Sequence, residues 1–209
     1  MKNLTLDPER IDVAVERAVR TLRDGGVVLF PAERLYGLAA DAQNPEAVKK
    51  VLRLKGRDPG RPLPVIVGDA GVASEWVLIP PRMATLIRRF WPGPLTLVLP
   101  LRRRLAAEVT AGAELGIRAP GNALALELAR AFGSPLTATS ANESGEASGR
   151  TVAEALAGLS GEVDLTIDAG ELEGPPGSTV ARVRDGKVEI LRPGIVPLEA
   201  LQRCLKPIK

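Results

Sequence analysis

The sequence has no histidine and a single cysteine, Cys204, among its 209 residues. The lack of histidine excludes a Ser-His-Asp triad, a cysteine nucleophile activated by histidine, a histidine-ligated metal and imidazole acid–base catalysis. One cysteine excludes an internal disulfide, an iron–sulfur cluster and a zinc site with several cysteine ligands. Any catalysis must therefore use other side chains, and a reducing cytoplasm is the expected compartment.

Long apolar segments are also missing, since no run of 18 apolar residues occurs and the N-terminus has no apolar core of a signal peptide. We therefore expect a cytoplasmic protein that is neither secreted nor membrane-spanning. Hydrophobic residues make up 45% of the chain and charged residues 25%, which is typical of globular proteins. A chain of this length buries enough surface to be stable without a disulfide, so we expect one domain over residues 1–209.

The pattern of apolar residues and breakers predicts alternating helices and strands. Capping signatures with proline at 7–9 and 44–46 predict amphipathic helices that end near 24–26 and 55–56, and further helices are predicted at 81–90, 122–132 and 152–159. Short apolar runs predict strands at 27–30, 64–67, 95–99, 136–139, 165–167, 179–183 and 188–191. The last two flank Asp185-Gly186, which suits a hairpin turn. The predicted class is therefore α/β, with flanking helices on a twisted sheet of mixed parallel and antiparallel strands.

Positive charge is concentrated in two segments, although the net charge is only +3. Residues 49–61 contain six cations and one acid, and residues 82–104 contain six arginines and no acid. Such clusters predict a surface that attracts phosphate. The alternative is that they are solvated helix faces.

The most informative segment is 51–67, where Lys55 and Arg57 follow a predicted helix on either side of Gly56. Glycine permits close backbone approach, so the two cations are placed to converge on one anion. Alternatively, they complement the negative end of the helix dipole. Neither a phosphate-binding P-loop nor a dinucleotide-binding glycine fingerprint is present, so a nucleotide would be held differently.

A second polar segment, 136–150, is dense in hydroxyl and amide groups, including Thr137, Thr139, Ser140, Asn142 and Ser144. Short polar side chains and backbone N–H groups in turns hold phosphate or ribose, but they also form helix caps and Asx turns. Arg118, Ser178 and Arg192 each lie beside a glycine or proline turn. These positions are consistent with strand ends at a cleft, or with ordinary surface turns.

Taken in order, these motifs resemble the YrdC-like family of threonylcarbamoyl-AMP synthases. The residues that carry the resemblance are FP at 30–31, YGL at 36–38, KGR at 55–57, PL at 62–63, WPGPLT at 91–96, RAP at 118–120, SAN at 140–142, SG at 144–145, STV at 178–180 and LRPG at 191–194. The match covers nearly the whole chain, and the K-x-R and S-x-N pairs with WPGPLT form a specific combination. The resemblance implies a single-domain YrdC-like fold around a basic cleft, without the extra C-terminal domain of longer members.

The resemblance implies an enzyme, a nucleotidyltransferase that joins L-threonine, bicarbonate and ATP into L-threonylcarbamoyl-AMP and releases pyrophosphate. ATP is a substrate and Mg²⁺ the implied metal ion. The product then supplies tRNA-modifying transferase proteins that make threonylcarbamoyladenosine in tRNA. The chemistry suits a site without histidine, because it needs positioned reactants and stabilised negative charge rather than a covalent enzyme intermediate.

The resemblance also assigns roles to residues. Lys55 and Arg57 are the implied catalytic residues and bind the ATP phosphates. The other implied ATP contacts are Arg61, Ser140, Asn142, Ser178 and Arg192. The implied threonine pocket consists of Arg34, Tyr36, Arg118 and Thr139, in which the planar fork of Arg118 pairs with the carboxylate.

One segment departs from the family pattern. Where the family has Pro-Thr-Asp/Glu-Thr or Ser before Tyr-Gly-Leu, this chain has PAERLY at 31–36, so Ala32 and Arg34 replace two hydroxyl residues. Arg34 either blocks the pocket, alters its specificity or turns outward. Arg34 leaves open an enzyme of the same fold acting on another adenylate or carbamoyl compound, and the two basic segments leave open a non-catalytic module for double-stranded RNA or tRNA. A purely structural role is a third alternative, against which the Lys55/Arg57 and Ser140/Asn142 pairs argue.

Two further expectations concern local structure. An exposed cleft lysine contributes little to stability, so Lys55→Ala is expected to abolish turnover and leave the fold intact, whereas unfolding would favour the helix-dipole role. The proline- and glycine-rich segment 171–177 is predicted to be a mobile loop.

Overall fold

The structure is a computed structural model that describes residues 2–58, 60–110, 112–142, 149–184 and 187–205. In these ranges the helices are α1 (Ile11–Arg23), α2 (Pro45–Leu54), α3 (Ala70–Trp76), α4 (Pro81–Phe90), α5 (Ala123–Phe132), α6 (Val152–Ala157) and α7 (Leu198–Leu205), with a 3-10 turn, Pro8–Arg10, before α1. The strands are β1 (Lys2–Thr5), β2 (Val28–Pro31), β3 (Tyr36–Ala39), β4 (Val65–Ile66), β5 (Leu95–Pro100), β6 (Glu114–Arg118), β7 (Leu136–Thr137), β8 (Thr139–Ser140), β9 (Leu165–Asp168), β10 (Thr179–Arg184) and β11 (Lys187–Arg192).

The strands form two mixed sheets, which confirms the predicted α/β class. The first sheet has the order β1-β9-β2-β3-β8 and the second the order β11-β10-β5-β6-β4-β7. In the first sheet β9 is parallel to β1 and β2, while β3 is antiparallel to both of its neighbours. The last strand pair, β10 and β11, is antiparallel as predicted. The dipeptide 185–186 expected to turn between them lies outside the described residues.

The chain passes from one sheet to the other at Ala138, within the stretch 136–139 that was predicted as one strand. β7 pairs with β4 in the second sheet, and β8 pairs with β3 in the first. Between them, the Ala138 N–H donates to the Pro64 carbonyl oxygen at 2.9 Å. Both halves have the same Leu/Ala–Thr pattern and are largely buried, so periodicity alone did not reveal the switch between sheets.

The two proline-containing caps form as predicted. Asp7 Oδ1 accepts from the Glu9 N–H at 2.9 Å, and Asn44 Oδ1 accepts from the Glu46 N–H at 3.0 Å. The side chains that α1 buries, at helical spacing, are Ala14, Val15, Ala18 and Leu22. The first turn after Asp7 is 3-10 rather than α-helical, so α1 begins later than its cap suggested.

Several short elements were not predicted. They are β1, β3, β6, α3 and α7. Strand β3 is buried along its whole length and contains Gly37, and β6 contains Gly116, so neither shows a clear alternation of β-formers. α3 has only seven residues, of which one is Gly71. Such elements form because tertiary contacts cover them, and local propensity adds little.

The hydrophobic core places the second sheet and α2 against the inner strands of the first sheet. One buried cluster spans both sheets and includes Leu29, Leu38, Val51, Leu63, Val65 and Leu97. A second cluster packs α1 and α5 against the outer face of the first sheet through Leu22, Phe30, Leu128 and Ile167. None of the helices in the described ranges is long and apolar enough to cross a membrane.

The turn after β11 packs on the backbone that leads into β10, and glycine is required there for steric reasons. A Cβ at Gly194 would lie less than 3.0 Å from backbone atoms of Thr179, Gly177 and Ser178. Backbone atoms cannot move away as the end of a flexible side chain can. The segments are also joined by Ile195 N–H donating to Gly177 O at 3.1 Å.

We therefore expect Gly194→Ala to lower the free energy of unfolding by about 1–3 kcal/mol, the usual cost of overpacking. The matched control is Gly177→Ala, where a Cβ meets open space and the change is expected to stay within about 0.5 kcal/mol. Urea unfolding followed by circular dichroism measures both values. Equal stability of the Gly194→Ala protein and the wild type would contradict the packing described here.

Candidate active site

A cavity of about 440 Å³ is lined by residues of both sheets and of two loops. Strands β3 and β8 contribute from the first sheet, and the ends of β6 and β11 contribute from the second. The charged residues that line it are Glu33, Arg34, Arg57, Arg118 and Arg192. In the described part of the lining, four cations therefore face one acid.

The arginines of the lining are close enough to perturb one another. Burial, followed by the charges of Arg61 and Arg192, lowers the pKa of Arg57. Burial lowers the pKa of Arg118 as well; Glu33 opposes this shift and Arg192 adds to it. Gathering like charges in a partly buried space is unfavourable unless an anion joins them. The cavity is therefore suited to a ligand with several negative charges.

Arg118 and Glu33 form the most buried ion pair of the cavity. Arg118 Nη1 donates to Glu33 Oε1 at 2.6 Å, and the side chains are only 7% and 15% exposed. The same Oε1 accepts the Gly121 N–H at 2.6 Å, which fixes the turn between β6 and α5. Sequence reasoning placed Arg118 here but missed Glu33. The signal was present, because Glu33 occupies the acidic position of the departing segment 31–36.

Lys55 contradicts the expectation of an exposed cleft lysine. The residue is 1% exposed and is not among the residues that line the cavity. Its ammonium donates to the carbonyl oxygen of Ser140, to that of Asn142 at 2.6 Å and to Asn142 Oδ1 at 3.3 Å. The lysine is buried because it forms the C-cap of α2 directly against the segment that follows β8. Lys55 therefore supports the lining residue Ser140 without lining the cavity itself.

Arg57 and Arg61 lie differently relative to the cavity. Arg57 lines it and is held by donation from Nη2 to the Pro62 carbonyl oxygen at 3.0 Å. Arg61 is exposed and does not belong to the lining, although its charge acts on Arg57. Of the two cations, the structure brings only Arg57 to the cavity.

Ser178 and Arg192 form a second polar group on the wall. Arg192 Nη2 donates to the Ser178 carbonyl oxygen at 3.0 Å and lies 3.1 Å from its Oγ. Ser178 Oγ also lies 3.1 Å from Thr96 Oγ1. Thr139 and Ser140 complete this side of the cavity from β8. The other hydroxyl candidate, Ser144, belongs to 143–148, outside the described residues.

Tyr36 is among the residues that line the cavity, and its hydroxyl bonds to the turn after β9. The hydroxyl donates to the Gly170 carbonyl oxygen at 2.8 Å, accepts the Ala169 N–H at 2.9 Å and lies 3.2 Å from Asp168 Oδ1. Burial raises the pKa of Tyr36 to about 12. Its hydroxyl thus stays protonated and fixes the turn after β9.

Arg34 is among the residues that line the cavity, and its side chain is 33% exposed. Its Nε lies 3.0 Å from Glu173 Oε2, and its carbonyl oxygen accepts the Gly174 N–H at 2.9 Å. From the other side, Arg150 contacts the same segment through Glu171 at 2.9 Å and through the Leu172 carbonyl oxygen at 3.0 Å. The segment 171–177, predicted to be mobile, is thus bound to both arginines, and its last three residues line the cavity.

The arrangement favours binding and orientation over acid–base catalysis. Guanidinium groups and hydroxyls hold anions, and positioned cations stabilise negative charge that develops in a reaction. No cluster of three or more metal-ligating side chains occurs among the residues that the structure describes. The single acid of the described lining is already bonded to Arg118, so these residues do not form a site for a resident metal ion.

Comparison with known proteins identifies relatives of this chain. The Sua5/YciO/YrdC family, described as "Telomere recombination", matches residues 20–194. A threonylcarbamoyl-AMP synthase of Bacillus subtilis is 39% identical over 200 residues, covering 94% of this chain and 58% of that protein. A threonylcarbamoyl-AMP synthase of Halorhodospira halophila is 35% identical over 177 residues, covering 83% of this chain and 90% of that protein.

A solved structure shows the same architecture. The crystal structure of P. abyssi Sua5 complexed with L-threonine matches with a TM-score of 0.88 at 33% identity, covering 97% of this chain and 60% of that one. This chain therefore spans less than two thirds of the length of that protein and of the Bacillus subtilis relative.

The burial of Lys55 has a measurable consequence for stability. Burial, and secondarily the charge of Arg57, lowers the pKa of Lys55 from 10.5 to about 8. Between these values the unfolded chain binds more protons than the folded one, so the contribution of Lys55 to stability rises as the pH rises.

We expect the free energy of unfolding of the wild type, relative to Lys55→Met, to increase by about 2 kcal/mol between pH 7 and pH 9.5. Urea unfolding of both proteins across this range measures the difference, and the contribution of Tyr36 cancels because both proteins contain it. If the difference in unfolding free energy between the two proteins does not change with pH, folding does not lower the pKa of Lys55.

Proposed function

The chain belongs to the Sua5/YciO/YrdC family, and from this premise we propose that it forms L-threonylcarbamoyl-AMP from L-threonine, bicarbonate and ATP, with release of pyrophosphate. The observation that carries the proposal is the cavity in which Arg57, Arg118 and Arg192 converge on a space for anions. The named relatives support the same reaction. We propose that residues 1–209 form one YrdC-like domain that performs it.

The triphosphate of ATP is assigned to the side of the cavity formed by Arg57, Ser140, Ser178 and Arg192. Two guanidinium groups there stabilise the charge that develops when the carbamate oxygen attacks the α-phosphorus and pyrophosphate leaves. The Arg192 guanidinium is already oriented by Ser178 at 3.0 Å, so little side-chain freedom is lost on binding. Arg61, exposed beside Arg57, contributes only through its charge.

Lys55 and Asn142 act on this site from outside the lining. We assign to Lys55 a positioning role, because its ammonium holds the carbonyl oxygens of Ser140 and Asn142. The Ser140 hydroxyl and the backbone that follows it thereby keep one orientation toward the nucleotide. This replaces the direct phosphate contact that the family resemblance implied for Lys55.

The amino acid is assigned to the opposite side, formed by Arg34, Tyr36, Arg118 and Thr139. Arg118 pairs with the α-carboxylate, and the amine attacks the one-carbon unit to give a carbamate. The family pattern has a threonine or serine where this chain has Arg34, and Arg34 lines the cavity. The identity of the amino acid is therefore the part of the proposal that the family pattern supports least. Threonine is proposed because one structurally similar protein, P. abyssi Sua5, was crystallised with it.

Magnesium and the partners follow from the reaction. The described lining offers no carboxylate cluster, so Mg²⁺ is proposed to enter on the ATP phosphates as part of the substrate. The product supplies tRNA-modifying transferase proteins, which places the proposed reaction in the cytoplasm. Direct RNA contact is proposed for the exposed cations of the basic segments 49–61 and 82–104, which excludes the buried Lys55.

Mass spectrometry of the reaction products tests the proposal. The protein is incubated with MgATP, L-threonine and ¹³C-bicarbonate, and each component is omitted in turn. We expect a ¹³C-labelled threonylcarbamoyl adenylate that requires all three substrates. An adenylate formed with another amino acid instead would identify an enzyme of altered specificity, and ATP binding without any adenylate would contradict the proposed reaction.

Arg57 and Arg53 allow a matched comparison within one basic segment. Arg57 lines the cavity, whereas Arg53 is exposed on α2 about one turn earlier. Loss of a charge-assisted hydrogen bond to phosphate predicts that Arg57→Ala lowers kcat/KM for ATP about 10- to 100-fold. Arg53→Ala is expected to stay within about twofold of the wild type. Equal losses in the two variants would indicate a general effect of surface charge.

A further inference from the structure

Thr96 is a buried hydroxyl residue behind the cavity wall to which the proposed reaction gives no role. It lies on β5, beside β10 in the second sheet, and is 1% exposed. Thr96 does not line the cavity, but its Oγ1 lies 3.1 Å from the Oγ of Ser178, which does. Either hydroxyl can donate at this distance, and the direction of the bond decides what Ser178 offers to a ligand.

The Ser178 hydroxyl already accepts a hydrogen bond from Arg192. Arg192 Nη2 lies 3.1 Å from Ser178 Oγ and 3.0 Å from the Ser178 carbonyl oxygen. A guanidinium group cannot accept a hydrogen bond, so Arg192 is the donor in both contacts. The hydroxyl proton of Ser178 is therefore directed either to Thr96 or into the cavity.

The burial of Thr96 decides between these two directions. Among the residues that the structure describes, Ser178 Oγ is the one hydrogen-bond partner of Thr96 Oγ1. If Ser178 donated to Thr96, the Thr96 proton would be buried without an acceptor, which carries the full cost of removing that donor from water. If Thr96 donates, both protons are satisfied, because the Ser178 proton faces the cavity, where water or a ligand accepts it. The second arrangement therefore has the lower free energy.

We propose that Thr96 is a positioning residue, which donates to Ser178 Oγ and thereby commits the Ser178 hydroxyl to donate to an anionic oxygen of the ligand. Arg192 and Thr96 occupy both acceptor positions of Ser178 Oγ, so only its proton is left for the cavity. The inference rests on the proposed function and adds to it a residue that touches neither substrate. A phosphate oxygen of ATP and a carboxylate oxygen of the amino acid both accept such a bond, and the test distinguishes them.

The direction of the bond does not depend on Arg192. If Arg192 turns toward a bound anion, Thr96 still donates to Ser178 Oγ, because burial leaves its proton no other acceptor among the described residues. A hydroxyl proton is thus available to the ligand before it binds. Hydrogen bonds to a charged acceptor are the stronger ones, so this orientation matches the cationic lining of the cavity.

Calorimetry tests the inference without requiring turnover. The affinity for MgATP, and in a second arm the affinity for L-threonine at saturating MgATP, is measured for the wild type and for Thr96→Val. We expect Thr96→Val to weaken one of the two affinities about 3- to 10-fold, because Ser178 loses the bond that orients its proton. The ligand whose affinity falls contains the oxygen that Ser178 contacts. If Ser178 instead donates to Thr96, valine frees its proton for the ligand, so unchanged or tighter binding of both ligands overturns the inference.

Two further variants separate positioning from a general effect on the fold. Thr96→Ser keeps the hydroxyl and is expected to bind both ligands within about twofold of the wild type. In a protein that already contains Ser178→Ala, adding Thr96→Val is expected to change neither affinity by more than about twofold, because the hydroxyl through which Thr96 acts is gone. Equal weakening by Thr96→Val with and without the Ser178 hydroxyl would show a structural effect and refute the positioning role.

The matched control is Thr137→Val in the same sheet. Thr137 is also fully buried, and its hydroxyl accepts the Ala40 N–H at 2.9 Å without lining the cavity. Both affinities of this variant are expected to match the wild type, even if its stability falls. If Thr96→Val does not fold, Thr96→Ala is compared with Thr96→Ser in its place. A wild type that binds MgATP but forms no adenylate contradicts the proposed reaction, whereas the role of Thr96 is still decided by the measured affinities.

Discussion

The contact of the Lys55 ammonium with the carbonyl oxygens of Ser140 and Asn142 is the interaction on which the site depends. It joins the C-terminal end of α2 to the end of β8 and to Asn142 beyond it, across a sequence separation of 85 residues for Ser140. A buried ammonium is tolerated only when its hydrogen bonds are satisfied, and three oxygens do so here. Because β8 pairs with β3, the same contact fixes the β8 side of the cavity relative to the segment that carries Glu33 and Arg34.

The charged residues that line the cavity indicate which kind of ligand it suits. Partly buried arginines repel one another, and holding them together costs stability that a ligand restores when it binds. The ion pair of Glu33 and Arg118 neutralises one cation of the lining, whereas Arg57 and Arg192 form no ion pair with the residues that the structure describes. One side therefore suits phosphates and the other a ligand of balanced charge. The reaction proposed above requires such a division, because it needs two reactants side by side.

Much of the fold could be predicted where the signal is local. The caps at Asp7 and Asn44 depend on neighbouring residues, and helix α4 was predicted with its observed bounds. The division of 136–139 between two sheets and the burial of Lys55 depend instead on distant partners, which no local pattern encodes. For the site, the resemblance to a family identified Arg57, Arg118 and Arg192 correctly as lining residues. The expectation that Lys55 is exposed was wrong, because a sequence motif states which residues occur and not which of them distant segments bury.

Arg34 shows how a departure from the family pattern is accommodated by the surrounding structure. Its ion pair with Glu173 involves a carboxylate that is 76% exposed, and such pairs contribute little to stability. The segment 171–177 is held instead by the backbone bond from Gly174 to the Arg34 carbonyl oxygen and by the contacts of Arg150. The position of the segment therefore depends mainly on the backbone bond at Gly174 and on Arg150, and the Arg34–Glu173 ion pair adds little.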